Sequence, residues 1–180
     1  MKHQLLVITG KDRPGIIHAA TRILYRAGAN LEDIRMSILE GQFAMMLIAA
    51  MTPAKRRGVL GALCRLAKSW KLTVFDCGLP GHLRLSQPRS NLNTYLVRVI
   101  GRDKTGIVYH VSRLLARRKL NIQSLESRLI GSGKSRIYTM LLEFCAPKHF
   151  KLQPLHGAML RLGKKLKVEI HISSAATQLL

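Results

Sequence analysis

The sequence predicts an α+β protein in which one β-α-β-β-α-β unit is built twice. Three observations carry that prediction. The chain has 180 residues, 47% of them hydrophobic and 22% charged, which is room for two domains of roughly 80–100 residues, each able to bury its own core. The segment Ile8 to Ile17, ITGKDRPGII, lies over Val99 to Val108, VIGRDKTGIV, at an offset of 91, with Gly, Asp, Gly and Ile at the same steps. Between the copies, Gly78-Leu79-Pro80-Gly81 through Ser86-Gln87-Pro88-Arg89-Ser90-Asn91 is rich in turn formers and breaks every hydrophobic period. The expected organisation is a first domain over 1–77, a linker over 78–92 and a second domain over 93–180.

Each element follows from a local period. Leu5-Leu6-Val7-Ile8 is a short apolar run stopped by Gly10, a buried strand. From Pro14, apolar Ile16, Ile17, Ala20, Ile23, Leu24 and Ala27 recur at three and four, which is helical, and Gly28 stops the helix. Leu31–Leu39 and Phe43–Met51 flank Glu40-Gly41-Gln42, the pattern of two strands joined by a tight turn. Pro53 opens a second helix whose apolar stripe is Val59, Leu60, Leu63, Leu66, Ala67 and Trp70, and Leu72–Phe75 closes the unit as a strand. The second half repeats the order: strand 95–100, helix 106–118, strands 122–130 and 136–144, helix 154–165, strand 167–172. Its hairpin, at Gly131-Ser132-Gly133-Lys134, is expected to be three residues longer. This order gives a four-stranded antiparallel sheet with both helices on one face, the ferredoxin-like arrangement. Met45, Leu47, Ala49, Met140 and Leu142 are expected on the open faces of the two sheets, where they demand sheet-to-sheet or edge-to-edge cover.

Composition excludes several classes. The longest apolar run, Phe43 to Met51, falls short of the ~20 residues of a membrane span, and the N-terminus carries no cleavable leader pattern, so a cytoplasmic protein is expected. Cys64, Cys77 and Cys145 form no C-x-x-C pair, which excludes the usual zinc and redox motifs and predicts buried thiols. Thirty Lys+Arg against nine Asp+Glu give a net charge of +21. Fourteen basic and five acidic residues lie in 1–90, sixteen and four in 91–180, so the charge is no tail. Such a field attracts polyanions or an acidic partner.

The strongest chemical signal is Gly10-Lys11-Asp12-Arg13-Pro14-Gly15-Ile16, set between a strand and a helix. Glycine lets a ligand approach the backbone, and the free amides of a first helical turn offer donors to a carboxylate or phosphate. With Asp12 as acceptor for an ammonium group, the loop suits a zwitterion such as an α-amino acid. The other reading is a capped helix start, with Pro14 at the first helical position and Asp12 or Arg13 at the cap. The duplicate has Lys104 and Thr105 in place of Arg13 and Pro14.

The strand, the D-R-P-G-I loop, the helix and then Ala29-Asn30-Leu31 resemble an ACT domain, the small regulatory module that binds amino acids. Gly101, Asp103, Gly106, Ile107 and Asn121 resemble a second. Two in tandem are similar to the glycine cleavage system transcriptional repressor family. The resemblance implies a non-enzymatic regulator with no cofactor, and effector sites where one module's loop meets a neighbour's second strand: Asp12, Arg13, Pro14, Gly15, Ile16 and Asn30, with Asp103, Gly106, Ile107 and Asn121. It also implies a small-molecule effector, a homodimer, and a protein partner such as a transcription factor or an enzyme.

Two other motifs fail on chemistry. Gly133-Lys134-Ser135 has the ending of a phosphate-binding P-loop, but Arg128 stands where that motif needs glycine and a strand follows it. RNA-recognition modules share the fold, yet they stack bases on central-strand aromatics, and Phe43 and Tyr138 match no such pattern. The seven histidines form no triad or metal spacing; His18 and His110 sit early in the two first helices. Arg22 with Arg26, and Arg113 with Arg117, are duplicated i,i+4 basic pairs which, with Arg118, make a candidate surface for an acidic partner. The alternative functions are a polyanion or nucleic-acid binder on a ferredoxin-like scaffold, and a regulatory subunit of an amino-acid biosynthetic enzyme.

Overall fold

The computed structural model describes residues 2–79, 92–132 and 136–175. In chain order the elements are β1 (Lys2–Lys11), α1 (Ile16–Arg26), β2 (Asn30–Leu39), β3 (Gln42–Met51), α2 (Pro53–Trp70) and β4 (Leu72–Gly78), then β5 (Leu92–Arg102), α3 (Ile107–Ala116), β6 (Asn121–Ile130), β7 (Ile137–Pro147), α4 (Gln153–Leu166) and β8 (Val168–Ser174). Both sheets are antiparallel with the same order, β2-β3-β1-β4 and β6-β7-β5-β8. The chain divides into two compact units, Met1–Ser86 and Gln87–Leu180. Gly78 and Leu92, expected in the linker, belong to β4 and β5. The rest of the proposed linker from Pro80 on, and Gly133-Lys134-Ser135, lie outside the described residues.

Each unit closes its own core. In the first, Leu6, Ile8, Met45 and Leu47 pack under Ile16, Ala20 and Leu24 of α1 and Val59 and Leu63 of α2. In the second, Val97, Val99, Met140 and Leu142 pack under Ile107, Val111 and Leu115 of α3 and Leu155 and Met159 of α4. This corrects one expectation: Met45, Leu47, Ala49, Met140 and Leu142 face the helices and are buried. A period of two separates the faces of a strand without saying which one the helices cover. The open faces carry the alternate residues, Val7, Met46 and Phe75 in the first unit and Arg98, Leu141 and His171 in the second.

The cysteines are a second correction. Cys64 and Cys77 are exposed and Cys145 is half-buried, because Cys64 takes the outer side of α2 and Cys77 lies opposite Leu5 on the open face. A third concerns the hairpin: residues 131–136 join β6 to β7 where 40–41 join β2 to β3, four residues more rather than three. The offset is therefore 95 between β3 and β7, and one further residue before α4 makes it 96 between β4 and β8.

The repeat extends to backbone detail. Both first helices start on a left-handed glycine, Gly15 (φ 94°) and Gly106 (φ 92°). Both second strands carry an irregularity at the same step, between Leu31 and Asp33 and between Ile122 and Ser124. Helix α1 ends in a Schellman motif, Gly28 N–H to Tyr25 C=O (2.8 Å) and Ala29 N–H to Leu24 C=O (3.0 Å). Helix α3 makes the same bonds with Lys119 at φ 56° in glycine's place. Lys119→Gly is therefore expected to raise stability by about 0.5–1 kcal/mol, the left-handed penalty less the glycine's chain entropy; urea denaturation checks it.

Candidate functional site

The site is built where β1 runs out. Lys11 is the last residue paired to β3, opposite Gln42, and the Asp12 N–H donates to the Gly41 C=O at 2.8 Å, pinning the loop to the β2–β3 turn. Gly15 then turns the chain through the left-handed region, and Ile16, 2% exposed, anchors α1 in the core. The helix thus begins at Ile16, with no side-chain cap bond from Asp12 or Arg13, and Pro14 is not its first residue. The first internal bond is Ala19 N–H to Gly15 C=O, 2.9 Å, so the amides of Ile16, Ile17 and His18 have no intrahelical acceptor.

A residue that the sequence placed only in a helical stripe completes the loop. Trp70, the last residue of α2, stacks under the Arg13 guanidinium, 4.1 Å from ring centroid to Cζ. The Trp70 Cη2 also lies 3.5 Å from where a Cβ on Gly15 would stand. A signal existed: Leu72 pairs with Gly10 across the β1–β4 ladder, which puts residue 70 beyond the end of β1, at the loop. Together the loop, His18, Met36, Ile38 and Phe43 line an open cleft of about 600 Å³. It offers one carboxylate, free amides, a cation and an apolar wall.

Asn30 is not in that cleft. It shares a second groove with His18, Thr21, Arg22, Tyr25, Ala29 and Leu31, about 460 Å³. In the second unit a groove of about 330 Å³ is lined by Tyr109, Ser112, Arg113, Ala116, Leu120, Asn121 and Ile122, the same seven positions one repeat on. The fold thereby joins Asn30 to Arg22 and Asn121 to Arg113, residues first assigned to different sites, with His18 common to both clefts of the first unit. Arg26 and Arg117 are exposed beside them. Arg118 donates to the Leu114 C=O at 2.9 Å and so caps its own helix.

The second loop differs. Asp103, Lys104 and Thr105 are exposed, Ile107 is core, and the His110 ring stands against Gly106, 3.4 Å from a Cβ position. Lys104 and Leu166 occupy the positions of Arg13 and Trp70, so the cation–aromatic pair is not repeated. A larger cleft, about 860 Å³, runs from Gly101 and Arg102 at the end of β5 to α4 and β8; it takes in Gly101 but none of Asp103, Gly106, Ile107 and Asn121. Among the described residues no helix is long and apolar enough to cross a membrane.

Comparison with known proteins bears on the family and the fold. A family model described as ACT domain matches residues 3–76. A UPF0237 protein of Neisseria meningitidis serogroup A is 30% identical over 83 residues, 46% of this chain and 89% of that protein. One from Methanosarcina mazei is 35% identical over 79 residues, 43% and 82%. With the Methanococcus maripaludis relative the match is shorter, 35% over 48 residues and 27% of this chain, and the chain spans about half of that protein, 53%. Among solved structures, an unknown protein from Galdieria sulphuraria superposes with a TM-score of 0.81 at 24% identity, covering 97% of this chain and 98% of the other. A protein provisionally named a glycine cleavage system transcriptional repressor superposes at 0.69 and 21%, covering 96% of each. At these identities the structural likeness is one of fold.

Proposed function

The chain belongs to the ACT-domain family and has its relatives in UPF0237, and from that premise we propose that it is a non-enzymatic regulator sensing an amino acid or related small metabolite at the Asp12–Gly15 loop. The observation that carries the reading is the cleft at that loop. A ligand carboxylate would take the free amides of Ile16–His18, where the helix dipole favours an anion. The ammonium would face Asp12, and Met36 and Ile38 would receive the side chain. Arg13, held on Trp70, would form a rim. With no such pair at the second loop, one site per chain is proposed.

Regulation would pass through protein contact in the cytoplasm. The edge strand β2 exposes Leu31, Ile34, Met36 and Ile38 beside an unpaired backbone edge, which supports assembly as a homodimer. The grooves holding Arg22 and Arg113, with Arg26 and Arg117 beside them, would meet an acidic partner. The output we propose is transcriptional control of glycine or one-carbon metabolism, on the resemblance of the tandem loops to the glycine cleavage system transcriptional repressor family.

Trp70 is the chain's only tryptophan, so its emission reports on the loop. Titration with each of the twenty amino acids, alongside thermal shift, is expected to give a saturable change with one ligand or one chemical group of them. Asp12→Ala is expected to weaken that ligand by about 1–3 kcal/mol, roughly 5–150-fold, as loss of a charged hydrogen bond. No response to any amino acid at millimolar concentration, or an unchanged Kd in Asp12→Ala, overturns the reading.

A further inference from the structure

The chain's nine acidic residues all lie in strands, loops and turns, and its four helices hold none. Among the described residues, Arg56, with Asp76, is the one lysine or arginine in ion-pair contact with a carboxylate. The helical layer of each unit is therefore a cationic surface, and one motif on it is duplicated. Residues 61–72, GALCRLAKSWKL, lie over 157–168, GAMLRLGKKLKV, at an offset of 96 that the longer second hairpin hides from a fixed-offset comparison. Gly, Ala, Arg, Leu, Lys and Lys coincide.

The positions kept are informative. Arg65, Lys68 and Lys71 are exposed, and so are Arg161, Lys164 and Lys167. Core positions between them have drifted, Leu63 to Met159 and Trp70 to Leu166. In both copies the arginine lies along the helix over a glycine one turn back: Arg65 Nη1 is 3.5 Å from a Cβ position on Gly61, and Arg161 Nη1 is 3.6 Å from one on Gly157. Among the described residues no other side chain from outside the neighbouring turn comes within 4 Å of either position, so packing against another element does not account for two glycines in helix interiors, where glycine is unfavourable. Each glycine leaves room for the guanidinium to lie against the helix. Lys71 and Lys167 both cap their helices at left-handed φ, 54° and 55°, where glycine or asparagine would be relaxed. A helix dipole favours some cation near that end. It does not explain a lysine kept at a strained position in both copies.

We propose that these two faces, Arg65-Lys68-Lys71 and Arg161-Lys164-Lys167, bind the phosphate backbone of duplex DNA. Two copies of one cationic triad in one chain suit a ligand that repeats its own charge. Protein–protein hot spots centre on tryptophan, tyrosine and arginine packed in desolvated pockets, whereas Arg65 and Arg161 are exposed and the outer sides of α2 and α4 offer them no aromatic neighbour. Single strands need stacking platforms, and Trp70 is already engaged by Arg13. Lysine and arginine are donors only, so neither triad offers an acceptor for the proton of a ribose 2′-OH, the group that marks RNA. Binding through phosphates alone is independent of base sequence.

The test is fluorescence anisotropy of the full chain with a labelled DNA duplex of about 20 base pairs, between about 50 and 200 mM salt. Six phosphate contacts predict a loss of about a thousandfold in affinity over that range. Replacing Arg65, Lys68 and Lys71 together by Gln is expected to reduce the log–log slope by about 3, and Arg161, Lys164 and Lys167 likewise. Replacing Arg35, Arg98 and Arg128, which lie on the open sheet faces, removes the same charge and is expected to leave the slope unchanged. The proposal is overturned by absent binding at low salt, by equal losses in the sheet-face control, or by tighter binding to polyglutamate, an anionic phosphatidylserine vesicle or an RNA duplex than to DNA.

Discussion

Gly15→Val is expected to abolish amino-acid capture, weakening it by at least about 100-fold, and Gly106→Val is expected to leave capture intact. The pair is informative because the two glycines have one backbone conformation, φ 94° and 92° with ψ near zero. A side chain there meets the left-handed penalty, about 1–2 kcal/mol and more for a β-branched residue. Both variants should therefore lose similar stability in thermal melts. They diverge in what the side chain meets. At Gly15 it enters the approach to the free amides of α1 and presses on Trp70, displacing the surface on which Arg13 rests. At Gly106 it meets the His110 ring, beside a loop without that pair. Gly15→Asn, which tolerates the left-handed region, separates strain from obstruction: it should fold nearly as wild type and still bind weakly. Equal loss of binding in Gly15→Val and Gly106→Val would show that capture depends on global stability.

Much of this architecture was readable from the repeat, because the constraints that shape the first loop act within a few residues. A strand end, a left-handed glycine and a buried isoleucine must follow one another, so the spacing of Asp, Gly and Ile stays fixed. The start of α1 was displaced by two residues because proline favours the first helical turn, while here Gly15 supplies the turn and Pro14 precedes it. Trp70 was invisible as a loop residue, since its neighbourhood is set by a ladder between strands about sixty residues apart. The burial of Met45 and Met140 could not be assigned to a face from alternation alone. The second-helix motif was hidden by length: four extra hairpin residues and one more between β7 and α4 move the offset from 91 to 96, and residues 91 further on from Gly61 and Arg65 are unrelated to them.

The same shift of register exposes a difference between the cores, and with it the largest expected loss of stability. Tyr95 and Phe144 stack at 5.3 Å, with planes 20° apart, at one end of the second sheet. Their counterparts in the first unit are Gln4 and Ala49. There Gln4, 4% exposed, donates to Asp76, which also accepts from Arg56, whereas the corresponding second-unit positions are Ile172 and Leu152. One unit ends its core on a polar triad, the other on an aromatic pair. Phe144 is fully buried, so Phe144→Ala leaves a cavity beneath Tyr95 and is expected to cost about 3–5 kcal/mol. Gln4→Ala removes a side chain but leaves Asp76 paired with Arg56, and is expected to cost about 1–2 kcal/mol. Urea denaturation followed by circular dichroism measures both. A cost for Phe144→Ala no greater than that for Gln4→Ala would mean that the second sheet collapses onto the vacated space, and that the aromatic pair is not what closes its core.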